Sequence, residues 1–277
     1  MPETGPALPT PTRAESGPGH TLTGDIRVHE GFHSEYLEHD RTVIVYLPPG
    51  YEVNTAQRYP VLYLHDGQNV FDRATSVGEE WRVDETAQAM ITAGEIEPII
   101  IVGIYNTGEH RIDEYAPTLR EDKGGGGHAD NYGKMLLMEL KPFIDQTYKT
   151  LPSAINTAIG GSSLGGLLTM HLGIRHPTAF GKLAVLSPSN WWDDRVIVRE
   201  VEALDGKLPE RVWLDAGTNE GPEVIEDTRA LRDALVAKGW VEGDDLMYVE
   251  AEGAEHNESS WGDRVAAVLK YLFPRAQ

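Results

Sequence analysis

The sequence predicts an α/β fold with a mostly parallel central sheet and helices on both of its faces. Two strand-like runs near the N-terminus are followed by strands and helices that alternate up to the C-terminus. This order is typical of an open sheet that begins antiparallel and continues parallel. Residues 98–104 are apolar at nearly every position, as in a strand buried on both faces. A length of 277 residues suits one large domain.

Each predicted strand is a β-branched or apolar run that ends at Gly, Pro or a polar cluster. The predicted strands span residues 25–29, 41–47, 59–64, 98–104, 154–159, 182–186, 212–216 and 246–250. The predicted helices span residues 83–93, 132–148, 164–176, 195–204, 224–238 and 264–272. Pro142 lies inside the second helix and predicts a kink or a break there.

Two segments lack such patterns. Residues 106–129 are polar and contain four consecutive glycines at 124–127, so we expect a mobile loop that gates the site entrance. Residues 1–20 are rich in Pro, Gly and Thr, and we interpret them as a disordered tail that precedes a domain of residues 21–277. The tail has no apolar core like that of a secretory signal.

Composition excludes several classes of function. The formal net charge is -20, with 44 acidic and 24 basic residues, so the field around the protein repels nucleic acid and anionic membranes. The chain has no cysteine, which excludes disulfides, thiolate metal sites and cysteine nucleophiles. No apolar stretch is long enough to span a bilayer. We expect a cytoplasmic protein, although export with a signal that is later removed stays open, and the oligomeric state is not indicated.

The strongest motif is Gly-Ser-Ser-Leu-Gly at residues 161–165, between a predicted strand and a predicted helix. It matches G-x-S-x-G, the sharp turn that raises a nucleophilic serine above the sheet of an α/β-hydrolase fold. The match makes Ser163 the candidate nucleophile, because Ser162 has no glycine two residues later. A phosphate-binding loop is a poorer interpretation, since the P-loop lysine is missing.

The candidate base follows by elimination. In this fold the triad order along the chain is serine, acid, histidine, and the histidines after Ser163 are His171, His176 and His256. The first two lie in or at the end of the helix that starts at the nucleophile. His256 follows the last predicted strand, at the edge of the sheet where ligands bind.

Two carboxylates compete for the role of acid in the loop after the strand at 212–216. Asp215 is still in the strand and could cap the turn through backbone amides. Glu220 lies on the loop, just before Pro222 opens the next helix. We favour Glu220 and keep Asp215 as the alternative.

The remaining candidates come from loops at the same edge of the sheet. The oxyanion hole is expected to use the backbone N–H of Leu164 and that of Gln68, in the loop after the third strand. Asn69 in that loop, together with Trp191 and Trp192 after the strand at 182–186, is expected to contact substrate. No histidines and carboxylates have metal-ligand spacing, so we expect neither a metal nor a cofactor.

Four motifs together resemble the putative esterase (esterase D-like) family. They are residues 64–72 (LHDGQNVFD), 161–166 (GSSLGG), 217–220 (GTNE) and 253–256 (GAEH). That family includes feruloyl esterases, S-formylglutathione hydrolases, enterochelin-type siderophore esterases and mycolyltransferases. The resemblance implies a serine esterase with little or no cap domain. Its acid position falls on Glu220, where relatives often carry Asp, and some siderophore esterases of this kind work with a Ser–His dyad.

The expected function is therefore hydrolysis of carboxylic esters through an acyl-enzyme. The expected partner is a small or aromatic ester of the feruloyl or acetyl type, or a siderophore-type lactone. Two alternatives stay open: an acyltransferase on the same scaffold, and a non-catalytic binding protein of the α/β-hydrolase fold.

Overall fold

The computed structural model describes residues 11–14 and 17–275. Its strands are β1 (Thr12–Arg13), β2 (Asp25–Phe32), β3 (Arg41–Leu47), β4 (Val61–His65), β5 (Ile100–Ile104), β6 (Leu119–Arg120), β7 (Gly125–Gly126), β8 (Thr157–Ser162), β9 (Lys182–Leu186), β10 (Arg211–Gly217) and β11 (Leu246–Ala251). Its α-helices are α1 (Val83–Ala93), α2 (Arg111–Tyr115), α3 (Ala129–Lys134), α4 (Lys141–Thr147), α5 (Leu164–Arg175), α6 (Val196–Glu202), α7 (Pro222–Lys238) and α8 (Glu258–Leu272). Short 3₁₀ helices span Gly67–Asn69, Gly108–His110, Glu121–Lys123 and Ala154–Asn156.

Within the described residues, the main sheet has nine strands in the order β1-β2-β3-β5-β4-β8-β9-β10-β11. The pairs from β1 to β5 are antiparallel, and every pair from β5 to β11 is parallel. The predicted fold class is thereby confirmed. Because the carboxyl ends of parallel strands meet at one edge, the loops after β4, β8, β9, β10 and β11 converge there.

The core lies on both faces of this sheet. Along β3, Val43 and Val45 join one buried cluster, while Ile44 and Tyr46 join the other. The first cluster is covered by α3 to α7, and the second by α1 and α8. Alternation of apolar side chains on a strand with helices on both faces accounts for the continuous apolar runs in the sequence.

The predicted helix at 132–148 is a run of three helical segments. Between α3 and α4 lies a π-helical stretch, Met135–Leu140. Pro142 then occupies the first turn of α4, where its missing N–H and fixed φ are tolerated. The break in regular α-helix predicted at Pro142 therefore takes the form of a π-helical stretch just before it.

The glycine segment contains regular structure, and its mobility and gating role stay predictions. Strands β6 and β7 pair as a small antiparallel hairpin, and the amide of Gly126 donates to Asp113 Oδ1 at 2.9 Å. Gly125 has φ +142, and a Cβ added there would lie 2.0 Å from Asp113 Oδ1. These glycines are required by close packing and by backbone conformation.

The first described residues are also part of the fold. Strand β1 pairs with β2, and His20 Nδ1 lies 2.6 Å from Asp72 Oδ2. The predicted disordered tail is therefore wrong for residues 11–14 and 17–20, while residues 1–10, 15 and 16 lie outside the described part of the chain. Across the ranges that are described, no helix combines the length and apolarity needed to cross a bilayer.

Candidate active site

Ser163 occupies a strained turn between β8 and α5. Its backbone has φ 58 and ψ -123, a region that residues other than glycine rarely adopt and that often marks functional sites. Small neighbours permit the turn, since a Cβ on Gly161 would lie 3.1 Å from both Gly165 and His65. Ser162 is buried and Ser163 only partly so. The hydroxyl of Ser163 is therefore the more accessible one.

His256 and Glu220 meet at the same edge of the sheet. His256 Nδ1 lies 2.7 Å from Glu220 Oε2, and the imidazole packs edge-on against Trp261 with ring centroids 4.9 Å apart. A carboxylate only accepts hydrogen bonds, so Nδ1 carries the proton and the lone pair of the neutral ring is on Nε2. This is the tautomer that a general base needs.

Glu220 is held from both ends of its carboxylate. Oε1 accepts from Ser187 Oγ at 2.5 Å and from the Gly217 amide at 2.7 Å, and the side chain has no exposed surface. Burial alone raises the pKa of Glu220, but the hydrogen bonds from His256, Ser187 and Gly217 outweigh it. The pKa therefore lies below its ordinary value, and the carboxylate is ionised at neutral pH.

Asp215, the alternative acid, has other partners. Its Oδ2 accepts from Trp213 Nε1 at 2.6 Å, and its Oδ1 accepts from the Ser187 amide at 3.1 Å. Arg264 Nε lies 3.3 Å from Oδ2. Burial raises the pKa of Asp215 to about 6, in spite of Arg264 and these donors. Of the two carboxylates, Glu220 is the one that contacts His256.

Ser163 and His256 are not hydrogen-bonded to each other in the part of the chain that the structure describes. The Ser163 hydroxyl lies 3.4 Å from Ser189 Oγ instead.

The two expected oxyanion donors both lie at helix starts. Leu164 opens α5, and Gln68 lies in the 3₁₀ helix that follows β4. Over residues 11–14 and 17–275, neither of these amides donates to a protein acceptor. Gly67 brings the second helix close to the sheet, because a Cβ there would lie 2.4 Å from the Gly103 carbonyl carbon. Unpaired amides at helix N-termini favour negative charge.

The Gln68 loop is fixed by a partly buried ion pair. Asp66 precedes it in the left-handed region, with φ 56, and accepts from Arg111 Nε and Nη2, both at 2.7 Å. The Asn106 side chain adds a third bond at 2.7 Å. Burial acts to raise the pKa of Asp66, but Arg111 and Asn106 together contribute to a net lowering of that pKa. This permanent charge pair holds the loop in place.

Comparison with known protein families identifies the family to which this chain belongs. The family model described as "Putative esterase" matches residues 34–272. The chain belongs to this esterase family. Among curated relatives, an endo-1,4-beta-xylanase/feruloyl esterase of Xylanibacter ruminicola is 29% identical over 87% of this chain, which spans 30% of that relative. A siderophore triacetylfusarinine C esterase of Aspergillus fumigatus is 29% identical over 61% of this chain, which spans 59% of that relative.

A solved structure supports the fold of the esterase. The enterobactin esterase FES from Shigella flexneri, determined in the presence of enterobactin, aligns with TM-score 0.73 and 20% identity. The match covers 94% of this chain and 63% of that one. The fold is thus of the α/β-hydrolase type, and membership of the family supports ester hydrolysis as the class of activity.

The two tryptophans that were predicted to contact the substrate of the esterase differ in exposure. Trp191 is 47% exposed, and Lys123 Nζ lies 5.5 Å from the centre of its ring. Trp192 is 1% exposed, and its Nε1 donates to Thr118. A side chain without surface cannot wall a pocket, so the prediction of substrate contact is wrong for Trp192.

The side chain of Asn69 also forms hydrogen bonds within the protein. Its Oδ1 accepts from the Val77 amide at 3.0 Å, and its Nδ2 donates to Glu258 Oε1 at 3.2 Å. The side chain is buried and connects the loop to α8. Since Oδ1 and one Nδ2 hydrogen are bonded within the protein, the substrate contact expected of Asn69 stays a prediction.

Sequence reasoning missed three residues of the esterase site: Ser187, Trp261 and Arg264. Ser187 is the first residue after β9, at the same edge as the other loops. This position could have identified Ser187 as a site residue from the sequence. Trp261 and Arg264 are three residues apart on α8 and therefore share a face. Over the described ranges, no group of three or more His, Asp or Glu side chains could hold a metal ion.

Proposed function

We propose that this chain is a serine carboxylic ester hydrolase that works through an acyl-enzyme on Ser163. One observation carries the proposal: the fully buried Glu220 contacts His256 Nδ1 at 2.7 Å, at the edge where Ser163 occupies its strained turn. Nucleophile, base and orienting acid are the three roles that acyl transfer requires.

In the proposed reaction, His256 Nε2 takes the proton from Ser163 Oγ as Oγ attacks the ester carbonyl carbon. The amides of Leu164 and Gln68 stabilise the negative oxygen of the tetrahedral intermediate. Removing one donor of this kind typically costs about 100- to 1,000-fold in kcat. His256 then gives its proton to the departing alcohol, and the same residue activates water to hydrolyse the acyl-enzyme.

The proposed substrate is a small or aromatic ester, of the feruloyl or acetyl type, or a siderophore-type lactone. Relatives named as feruloyl and siderophore esterases support this range. The exposed face of Trp191 supports an aromatic group near the nucleophile, because Trp191 is two residues from Ser189, whose Oγ lies 3.4 Å from Ser163 Oγ. Flat aromatic groups stack favourably on an exposed indole.

A fluorophosphonate probe tests the nucleophile. We expect covalent labelling of the wild-type chain and of Ser162→Ala, and none of Ser163→Ala. Ester hydrolysis by Ser163→Ala should fall by roughly 10⁴-fold or more, while the variant keeps its fold in thermal melting. Labelling of Ser163→Ala but not of Ser162→Ala would overturn our choice of nucleophile.

The same preparation separates the rival functions. A wild-type chain that neither reacts with the probe nor cleaves any of a panel of acetyl, butyryl, feruloyl and trilactone esters would favour a binding protein. If added alcohol captures the acyl group in place of water, so that the product is mainly a new ester, the chain is an acyltransferase.

A further inference from the structure

We infer that Ser187 is the positioning residue that fixes Glu220 and, through it, the tautomer of His256. The inference rests on the proposed function, since it concerns the acid of that triad. It begins from the position of Ser187, which directly follows β9 and is completely buried.

The first step is a count of hydrogen bonds. Ser187 Oγ accepts from Trp261 Nε1 at 3.0 Å and from Arg264 Nη2 at 2.9 Å. Indole and guanidinium nitrogens only donate, and a hydroxyl oxygen has two lone pairs. Both lone pairs are therefore used, and the single hydroxyl proton must point to the third neighbour, Glu220 Oε1 at 2.5 Å.

The hydrogen bonds of Glu220 then determine which of its oxygens accepts from His256. Its Oε1 receives the Ser187 hydroxyl and the Gly217 amide, so this oxygen carries no proton. Oε2 then accepts from His256 Nδ1. The imidazole lone pair is left on Nε2, where a general base needs it. Without the Ser187 hydroxyl, one oxygen of Glu220 would lose half of its fixed donors, and the carboxylate could rotate.

The backbone of Ser187 shows that its placement is specific. Its φ is +39, which a residue with a Cβ adopts only when its surroundings hold it there. The Ser187 amide donates to both the main-chain oxygen and Oδ1 of Asp215. Asp215, the carboxylate that does not reach His256, thus anchors the residue that holds Glu220.

One guanidinium lies near both carboxylates. Arg264 is buried, and lies 3.3 Å from Asp215 and 4.0 Å from Glu220. In the part of the chain that the structure describes, the charged groups near Glu220 are Arg264, Asp215 and His256. Since Arg264 also donates to Ser187, the hydroxyl orientation and the charge balance depend on the same side chain.

The test is a double-mutant cycle on ester hydrolysis. Ser187→Ala should lower kcat by about tenfold or more, since misplacement of a reacting group by about 1 Å can cost roughly 100-fold, with KM nearly unchanged. In the Glu220→Gln background, the same substitution should change kcat by less than about twofold, because its route of action is already lost.

Two further variants separate the hydroxyl from simple loss of stability. Ser187→Gly also lacks the hydroxyl but tolerates the positive φ, and it should lose as much kcat as Ser187→Ala. Thr157→Val removes a buried hydroxyl that donates to Ser153 O at 3.0 Å, at the opposite end of β8. It should leave kcat unchanged.

Failure of the inference differs from failure of the proposed function. If Glu220→Gln lowers kcat while Ser187→Ala is silent, or if the two losses multiply, Ser187 does not act through Glu220 and the inference falls alone. Full activity of Ser187→Gly would assign the loss to backbone strain and would also overturn it. If Glu220→Gln is silent, there is no acid to position, and the proposed triad falls together with the inference.

Discussion

The end of strand β10 and the loop that follows it each bury one carboxylate, and the two differ in the kind of partner that they meet. Asp215, in the strand, contacts groups that always donate: an indole, a backbone amide and a guanidinium. Glu220, in the loop, contacts His256, an imidazole that can both donate and accept a proton. Both side chains have no exposed surface.

The difference shows that burial alone does not decide what a carboxylate does. Burial raises the pKa of Asp215 to about 6, whereas the donors around Glu220 bring its pKa below the ordinary value despite burial. A carboxylate that stays ionised beside a titratable ring can stabilise the imidazolium formed during catalysis. A carboxylate among permanent donors fixes the backbone around it.

The largest expected effect comes from neutralising the loop carboxylate. Glu220→Gln should lower kcat by roughly 10³- to 10⁴-fold, because the imidazolium loses its counter-charge and the ring loses its preferred tautomer. The acidic limb of the pH–rate profile should move to lower pH, since protonation of His256 becomes less favourable. Steady-state kinetics across pH measure both effects.

Asp215→Asn is the matched control for that substitution. Asn can still accept from the Ser187 amide, so kcat should fall by less than about tenfold and the acidic limb should stay in place. The opposite result, with a large loss and a shifted limb for Asp215→Asn and almost none for Glu220→Gln, would exchange the roles of the two carboxylates.

A smaller effect is expected from shortening the loop side chain. Glu220→Asp keeps the charge but loses one methylene, so the carboxylate cannot reach Ser187, the Gly217 amide and His256 at once. Misplacement by about 1 Å can cost roughly 100-fold, and we expect a loss of about 10- to 100-fold in kcat, with the acidic limb little changed. Activity equal to that of the wild type would show that the Glu220 length is not needed.

The smallest expected effect is on the pH dependence of stability. The pKa of Asp215 is raised to about 6, so its contribution to the free energy of unfolding is full below its unfolded pKa and is lost as pH rises through about 6. The pKa of Glu220 is lowered, so its contribution is present above its unfolded pKa and is lost on acidification.

Denaturant unfolding at about pH 4 and about pH 7 measures this contrast. As pH rises from about 4 to about 7, the free energy of unfolding of Asp215→Asn should increase relative to that of the wild type, by roughly 3 kcal/mol at most. Over the same rise in pH, the free energy of unfolding of the wild type should increase relative to that of Glu220→Gln. If the free energies of unfolding of both variants changed with pH in the same direction relative to the wild type, the electrostatic distinction between the two carboxylates would be wrong.

Most of the sheet and its helices could be predicted because their signals are local. Strand Arg41–Leu47 and helix Val83–Ala93 have the predicted bounds, since β-branched runs and helical periodicity depend on neighbouring residues. The hairpin of β6 and β7 was missed, because its glycines fit closely against side chains outside the hairpin, those of Asp113 and Trp192. Strand β1 has only two residues and offers no periodicity.

The site was predictable where chain order and motif constrain it, and less so where burial decides. Ser163 and His256 were predicted from a turn motif and from chain order, and Glu220 was favoured over Asp215 because of its place on the loop. The sequence did not show which of Trp191 and Trp192 points inward, because adjacent residues on a turn have no fixed face. The contact of Ser187 with Trp261 joins residues that are 74 positions apart, and no local pattern encodes it.

Strand β1 is short, but it has a consequence for how the molecule can be handled. It covers the outer edge of β2, with Ala14 extending the pairing through a bond to Ile26 O at 3.0 Å. An uncovered edge strand offers unpaired N–H and C=O groups on which a strand from another molecule can add. A chain shortened to begin after this strand would keep every residue of the site, yet it would expose a template for aggregation.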